Sequence, residues 1–118
     1  MNKPCLFCEI AAGRMDADIV YQDDQVVAFR DIHPQAPTHV LIIPRKHITS
    51  MLDIEDVDAN LLGHMHLTAK QLAHDLGIAE QGYRSVFNCG RDGGQTVWHI
   101  HLHLLAGRSM GWPPWPGQ

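Results

Sequence analysis

The sequence lacks the marks of membrane proteins, nucleic-acid-binding proteins and disulfide-rich proteins. No apolar run approaches the roughly 20 residues of a membrane-spanning helix, and the acid Glu9 comes too early for a signal peptide, which favours a cytoplasmic protein. No basic cluster suggests a groove for a nucleic-acid polymer, since 13 acids against 9 bases give a net charge of −4. The 3 cysteines are too few, and odd in number, for a disulfide framework.

What remains is a chain suited to one compact domain. Its 118 residues are 45% hydrophobic, which is ample for a core, and we expect a single domain over 1–118 without repeats or linkers. Residues 107–118 hold too much proline and glycine for a regular element. Because Trp112 and Trp115 lie in that tail, we expect it to pack on a partner or over a pocket.

Hydrophobic periodicity predicts an α+β fold. Alternation and turn residues predict strands over 19–22, 25–30, 39–44 and 83–88, and a fifth strand within 95–105. A three- and four-residue spacing predicts one long helix over roughly 57–76, with Asp53 or Asp56 as its N-cap, and a short helix over 4–13. The expected architecture is an antiparallel sheet of about five strands with the long helix against one face.

Three histidines recur at every second position in the fifth predicted strand. Side chains alternate between the two faces of a strand, so His99, His101 and His103 would share one face. The apolar residues between them would point into the core. An edge strand that merely carries histidine is the plainest interpretation, but three at a fixed period make it a poor one.

Two kinds of chemistry suit these histidines. Three imidazoles on one face can bind one metal ion, as in catalytic zinc sites. Alternatively, one histidine is a nucleophile that its neighbours orient. The adjacent Gly93–Thr96 loop favours the second interpretation, because glycine lets backbone N–H groups approach a phosphate closely.

Cys5 and Cys8 form a Cys-x-x-Cys pair at the start of the chain. Such a pair is half of a metal site or a redox-active dithiol. The redox interpretation expects a strand before the motif, where this sequence has only four residues. Two small buried hydrophobic side chains are the remaining alternative.

The segment His99–Leu105 resembles the His-x-His-x-His-x-x signature of the histidine triad (HIT) family. Further segments resemble its Hint branch, namely 29–39, 42–47, 92–97 and 112–114. The resemblance implies a homodimer whose two sheets join, with residues 107–118 contacting the partner. It also implies one nucleotide site per subunit.

The implied activity is hydrolysis of purine nucleoside 5′-phosphoramidates, derivatives of AMP or GMP. His101 matches the family's nucleophile, which forms a nucleotidyl-histidine, and His99, His103 and Thr96 match its catalytic neighbours. Elementary chemistry agrees, because imidazole with a pKa near 6.5 is available as a neutral nucleophile. Hydrolysis of dinucleoside polyphosphates, or a nucleotide-binding interaction module with vestigial catalysis, are the alternatives.

The resemblance also implies the binding residues. Those matched to the phosphate and leaving group are Asn88, Gly94, Gln95, Thr96, His101 and His103. Asp31 matches the acid that binds the ribose, although a turn-capping role is equally ordinary for aspartate. The positions matched to the base pocket are Phe7, Ile10, Phe29 and Ile32, which could equally be plain core.

A subset of the wider superfamily pairs a Cys-x-x-Cys with two histidines around zinc. Those histidines match His47 and His99, so the resemblance implies a structural zinc bound by Cys5, Cys8, His47 and His99. The chemistry itself needs no metal and no redox cofactor.

Overall fold

The computed structural model describes residues 5–114. The elements in chain order are helix α1 (Leu6–Ala11), strands β1 (Ile19–Gln22), β2 (Val26–Arg30) and β3 (Thr38–Pro44), helix α2 (Ala59–Asp75), and strands β4 (Arg84–Phe87) and β5 (Leu102–Ala106). Two short 3₁₀ turns, Met51–Asp53 and Asp56–Asp58, precede α2. Among these residues no helix has the length and apolar character needed to cross a bilayer.

The five strands form one antiparallel sheet in the order β1-β2-β3-β5-β4. The strand β3 lies at its centre and is buried from His39 to Pro44, as expected for a strand covered on both faces. Its central position follows from its near-continuous apolar sequence. The sheet, the long helix and the short N-terminal helix confirm the predicted fold class.

Each face of the sheet has its own apolar cluster. One cluster joins the sheet to α2 and includes Ile100, Leu102 and Leu104, which confirms that these residues point into the core. The other lies beneath α1 and includes Phe7 and Phe29. The histidines lie on the α1 side, since the Phe7 ring packs edge-on against those of His99 and His101.

The predicted histidine strand is shorter than expected, and this part of the prediction is wrong. Only His103 lies within β5, whereas His99 and His101 precede it in irregular backbone. Both neighbouring strands end here: β3 stops at Pro44, which has no N–H, and Leu102 pairs with the last residue of β4. The Ile100 N–H instead donates to the Ile48 carbonyl at 2.8 Å.

The predicted N-cap of the long helix is also wrong. Residues 51–53 and 56–58 form 3₁₀ turns, and α2 begins after Asp58. The Asp53 carboxylate accepts hydrogen bonds from Ser50 in the first turn. The Asp58 carboxylate turns back to the Glu55 N–H and to Lys46 Nζ, at 2.9 and 2.6 Å. The carboxylates of Asp53 and Asp58 are therefore both hydrogen bonded outside the helix.

Asp23 connects the β1–β2 turn to helix α2. Its Oδ1 accepts the N–H groups of Gln25 and Val26, and its Oδ2 accepts the Tyr21 hydroxyl and His64 Nε2–H, each at 2.7 Å. Burial disfavours the charge, but these hydrogen bonds outweigh burial and hold the pKa of Asp23 well below its usual range. One carboxylate thus accepts hydrogen bonds from four donors, in β1, the β1–β2 turn, β2 and α2.

We expect Asp23→Ala to lower the free energy of unfolding by about 3 kcal/mol, because it leaves several donors without their acceptor. Urea denaturation of both proteins measures the difference. The matched control is Asp24→Ala, an exposed neighbour, which should change stability by less than about 0.5 kcal/mol. Equal stability of the two variants would contradict this role of Asp23.

Candidate active site and metal centre

A cleft of about 310 Å³ opens on the α1 side of the sheet. Four predicted base-pocket residues, Phe7, Ile10, Phe29 and Ile32, line it. Four predicted polar site residues line it too, namely Asp31, Thr96, His101 and His103. The first three apolar residues are also core, so both interpretations of them hold: their outward surfaces form the cleft wall. Sequence reasoning missed other apolar lining residues, among them Leu6, Met15, Leu41 and Val97.

His101 has the hydrogen bonding of a histidine nucleophile. Its Nδ1 lies 2.8 Å from the His99 carbonyl oxygen. Because a carbonyl only accepts, Nδ1 must carry the proton, which leaves the lone pair on Nε2. Burial lowers the pKa of His101, so the ring is neutral near pH 7. The backbone thus fixes the tautomer that nucleophilic attack through Nε2 requires.

His103 lies between two side chains at the edge of the cleft. Its Nδ1 is 2.9 Å from His39 Nε2, and its Nε2 is 3.4 Å from the Asn88 amide. Burial lowers the pKa of His103 to about 4. Sequence reasoning missed His39, because only the pairing of β3 with β5 brings it beside the triad.

Asp31 lies at the same edge and serves the turn that follows β2. Its Oδ1 accepts the His33 N–H at 2.8 Å, which is the turn-capping alternative. Its Oδ2 lies 3.5 Å from His39 Nε2. The carboxylate also lines the cleft, so a role toward a ribose stays a prediction.

The loop before the triad is internally hydrogen bonded. The N–H groups of Gly94 and Gln95 donate to the carbonyls of Arg91 and Gly90, at 3.1 and 3.0 Å. The buried Gln95 amide bonds to backbone groups of Thr49, Val97 and Gly90. Gln95 therefore shapes the loop. Of Gly94, Gln95 and Thr96, only Thr96 lines the cleft. The backbone N–H groups expected to approach a phosphate are therefore reduced to that of Thr96.

The four predicted zinc ligands lie together, and one of them, His99, is two residues before the cleft residue His101. Their donor atoms, two Cys Sγ and two His Nδ1, all lie within 4.8 Å of one another. The His47 and His99 Nδ1 atoms are 3.2 Å apart, and Cys5 Sγ and Cys8 Sγ lie 3.3 and 3.5 Å from His99 Nδ1. The structure thus assembles a possible metal site from residues 94 positions apart in sequence.

These distances suit a tetrahedral ion. Zinc bonds of about 2.0–2.1 Å to nitrogen and 2.3 Å to sulfur place neighbouring ligand atoms about 3.3–3.8 Å apart. The His99 Nε2–H donates to the Pro44 carbonyl at 2.8 Å, which turns the Nδ1 lone pair toward the cluster. Burial and the Cys5 thiol raise the pKa of the Cys8 thiol to about 11, so a bound cation would be needed to hold it as thiolate.

Comparisons with known proteins show similarity in both sequence and fold. The HIT domain family model matches residues 12–110. The purine nucleoside phosphoramidase of Escherichia coli K12 is 50% identical over 111 residues, covering 94% of this chain and 93% of the relative. A HIT family hydrolase from Legionella pneumophila superposes with a TM-score of 0.92 at 56% identity, covering 94% and 99% of the two chains.

A further solved structure bears on the metal cluster. A zinc-bound histidine triad family protein from Mycobacterium smegmatis superposes with a TM-score of 0.77 at 28% identity, covering 95% of this chain and 80% of that one. It is similar to this chain over nearly the whole fold.

Proposed function

The chain belongs to the HIT family, which includes nucleotide-related hydrolases, and on that premise we propose that it hydrolyses purine nucleoside 5′-phosphoramidates through a nucleotidyl-histidine. The observation that carries the proposal is the tautomer of His101. Its Nδ1–H is bound to the His99 carbonyl, which leaves Nε2 as the nucleophile in a cleft of about 310 Å³.

The reaction has two displacements at phosphorus. In the first, the lone pair of His101 Nε2 forms a bond to the α-phosphorus, the P–N bond of the substrate breaks, and the amine leaves with the bonding pair and takes a proton from solvent. In the second, water attacks phosphorus and gives up a proton to solvent, the bond to Nε2 breaks, and the nucleoside monophosphate leaves. The ring recovers its neutral form with the proton still on Nδ1.

The surrounding residues supply charge stabilisation and position. Thr96 and His103 line the cleft beside His101 and are suited to donate hydrogen bonds to the phosphoryl oxygens. Asn88 acts through its contact with His103. Gly94 and Gln95 hold the loop that presents Thr96.

The nucleoside fits the remainder of the cleft. Phe7 packs edge-on against Phe29, with ring centroids 5.5 Å apart, and Ile10 is buried beside them. With the exposed Ile32, these residues offer an apolar surface to a purine ring. Asp31 lines the same cleft, and its Oδ2 lies 3.5 Å from His39 Nε2, which supports a role as acceptor for the ribose hydroxyls.

A zinc ion at the four-residue cluster would be structural. Two thiolates and two imidazoles complete a tetrahedral shell and leave no open position for substrate. Bound zinc would cross-link α1 to the segments after β3 and before β5. Since His99 supplies both a ligand nitrogen and the carbonyl that holds His101, the site would steady the nucleophile.

A turnover assay tests the activity. Adenosine and guanosine 5′-phosphoramidates should both be hydrolysed to the monophosphate and ammonia, with no added metal. A diadenosine polyphosphate is the comparison substrate. Faster cleavage of the polyphosphate would indicate the alternative hydrolase, and nucleotide binding without turnover of either substrate would indicate a vestigial module.

We also propose that two copies form a symmetric dimer. The strand β4 is an edge of the described sheet, and Trp112 beyond β5 is 84% exposed. The Arg84 guanidinium holds the tail against β4 through the Gly111 carbonyl at 2.7 Å. Trp115 and residues 116–118 lie outside the described residues. We expect light scattering to give twice the chain mass at micromolar concentration; a monomer would contradict the dimer.

A further inference from the structure

His39 lies in a buried chain of hydrogen bonds to which no role has been given. The Gln35 backbone N–H donates to His39 Nδ1 at 3.0 Å, and His39 Nε2 lies 2.9 Å from His103 Nδ1. His39 is 5% exposed, and Asp31 Oδ2 lies 3.5 Å from its Nε2. The chain therefore runs from a backbone amide to a histidine that lines the cleft.

The Gln35 amide at the start of this series of hydrogen bonds fixes which ring nitrogen is protonated in His39 and then in His103. Because a backbone N–H can only donate, His39 Nδ1 must hold a lone pair, and neutral His39 carries its proton on Nε2. That proton points at His103 Nδ1, which must then accept. Neutral His103 consequently carries its proton on Nε2.

The same argument excludes a metal ion at Asp31, His39 and His103, although their donor atoms cluster. A histidine that binds a metal through Nε2 carries its proton on Nδ1. Here that proton would face the Gln35 N–H, donor against donor. The three side chains are therefore arranged around the proton on His39 Nε2 and not around a metal ion.

We propose that His39 is a positioning residue that holds His103 as the Nε2–H tautomer, so that His103 presents an N–H to the phosphoryl group. The part played in catalysis rests on the proposed function; the tautomer does not. His103 then acts as a hydrogen-bond donor that keeps its proton. If His103 released its Nε2 proton, its Nδ1 would have to take the Nε2 proton of His39. The Gln35 amide cannot supply His39 with a replacement proton.

The burial of the two rings agrees with this state. Burial lowers the pKa of His39 and that of His103, so both rings are neutral near pH 7, the only form in which a tautomer is defined. The Asn88 amide nitrogen, Nδ2, lies 3.4 Å from His103 Nε2, and two N–H donors cannot bond to each other. The Nε2–H tautomer therefore requires the flipped Asn88 amide, in which a half-turn exchanges the nitrogen and the oxygen.

Ring ¹⁵N spectroscopy of the unmodified, metal-loaded protein tests the tautomer directly. Long-range ¹H–¹⁵N correlation spectra distinguish a protonated ring nitrogen from one with a lone pair. We expect His39 and His103 to be protonated on Nε2 and His101 on Nδ1. A proton on Nδ1 of His103 overturns the inference, even if the enzyme turns over.

Two variants of residue 35 separate the amide from its side chain. Gln35→Pro deletes the N–H that fixes His39, whereas Gln35→Ala keeps it and removes only an exposed side chain. We expect the proline variant to show mixed tautomers at His39 and His103, and the alanine variant to match the parent protein. Unchanged tautomers in a folded proline variant would overturn the inference.

Variants of His39 link the tautomer to the rate. His39→Leu removes the donor, and kcat should fall about tenfold, the value of one hydrogen bond. His39→Gln restores an N–H donor and should return kcat to within about threefold and the His103 tautomer to Nε2–H. Equal rates for both variants would show that His39 only fills space. Absence of turnover in the parent protein would refute the proposed function but not the tautomer.

Discussion

Replacing His101 with alanine is expected to lower kcat by more than about a thousandfold while leaving the fold and nucleotide binding intact. Covalent catalysis loses its nucleophile entirely, whereas the residues proposed to contact the base and the ribose are other residues of the cleft. His101 lines the cleft, and its hydrogen bond to the His99 carbonyl leaves its Nε2 lone pair free for attack. Turnover of adenosine 5′-phosphoramidate measures the loss.

The control for this substitution is His74→Ala. His74 is an exposed histidine on α2, on the opposite side of the sheet from the cleft, and its loss should leave kcat unchanged. Circular dichroism and titration with AMP establish that the His101→Ala protein is folded and binds nucleotide. A folded variant that retains more than a few per cent of the parent rate would remove His101 from the mechanism.

Removing zinc is expected to have the second largest effect, this time on stability. A closed four-ligand site binds only the folded chain, so its binding free energy adds to the free energy of unfolding. We expect chelation, or Cys5→Ser with Cys8→Ser, to lower that free energy by on the order of 5 kcal/mol. Because the His99 carbonyl holds His101, kcat should fall as well.

The third cysteine provides the control. Cys89 lies outside the cluster, so Cys89→Ser should keep one zinc per chain and the parent stability. Elemental analysis should be done on protein purified without a chelator or a nickel column. Metal content near zero, together with a double serine variant as stable as the parent, would rule out the zinc site.

The architecture was predictable where local pattern and burial agree. The strands β1, β2 and β3 lie within a residue of their predicted bounds, because their apolar residues and the turns that bound them are visible in the local sequence. Helix α2 is likewise where its spacing predicts. Its N-cap is not, because Asp53 and Asp56 lie in 3₁₀ turns and the helix begins only after Asp58.

The sequence predicts which residues form the site, but not the contacts between them. Alternation places Ile100 in the core, yet the irregular backbone at His99 and His101 depends on where β3 and β4 end. The contact of His39 with His103 joins residues 64 positions apart and depends on strand register. Such a contact has no local signature, and this one decides which nitrogen of His103 carries the proton.

The central claim is that His101 becomes covalently nucleotidylated, and mass spectrometry of the quenched enzyme tests it most directly. Enzyme mixed with excess guanosine 5′-phosphoramidate should be stopped within one turnover in alkaline denaturant, because the phosphorus–nitrogen bond of phosphohistidine is labile to acid, and then digested. The account predicts a nucleoside monophosphate on the peptide that contains His101, absent from His101→Ala. Product formation with no adduct on any peptide, or an adduct on a different residue, would contradict it.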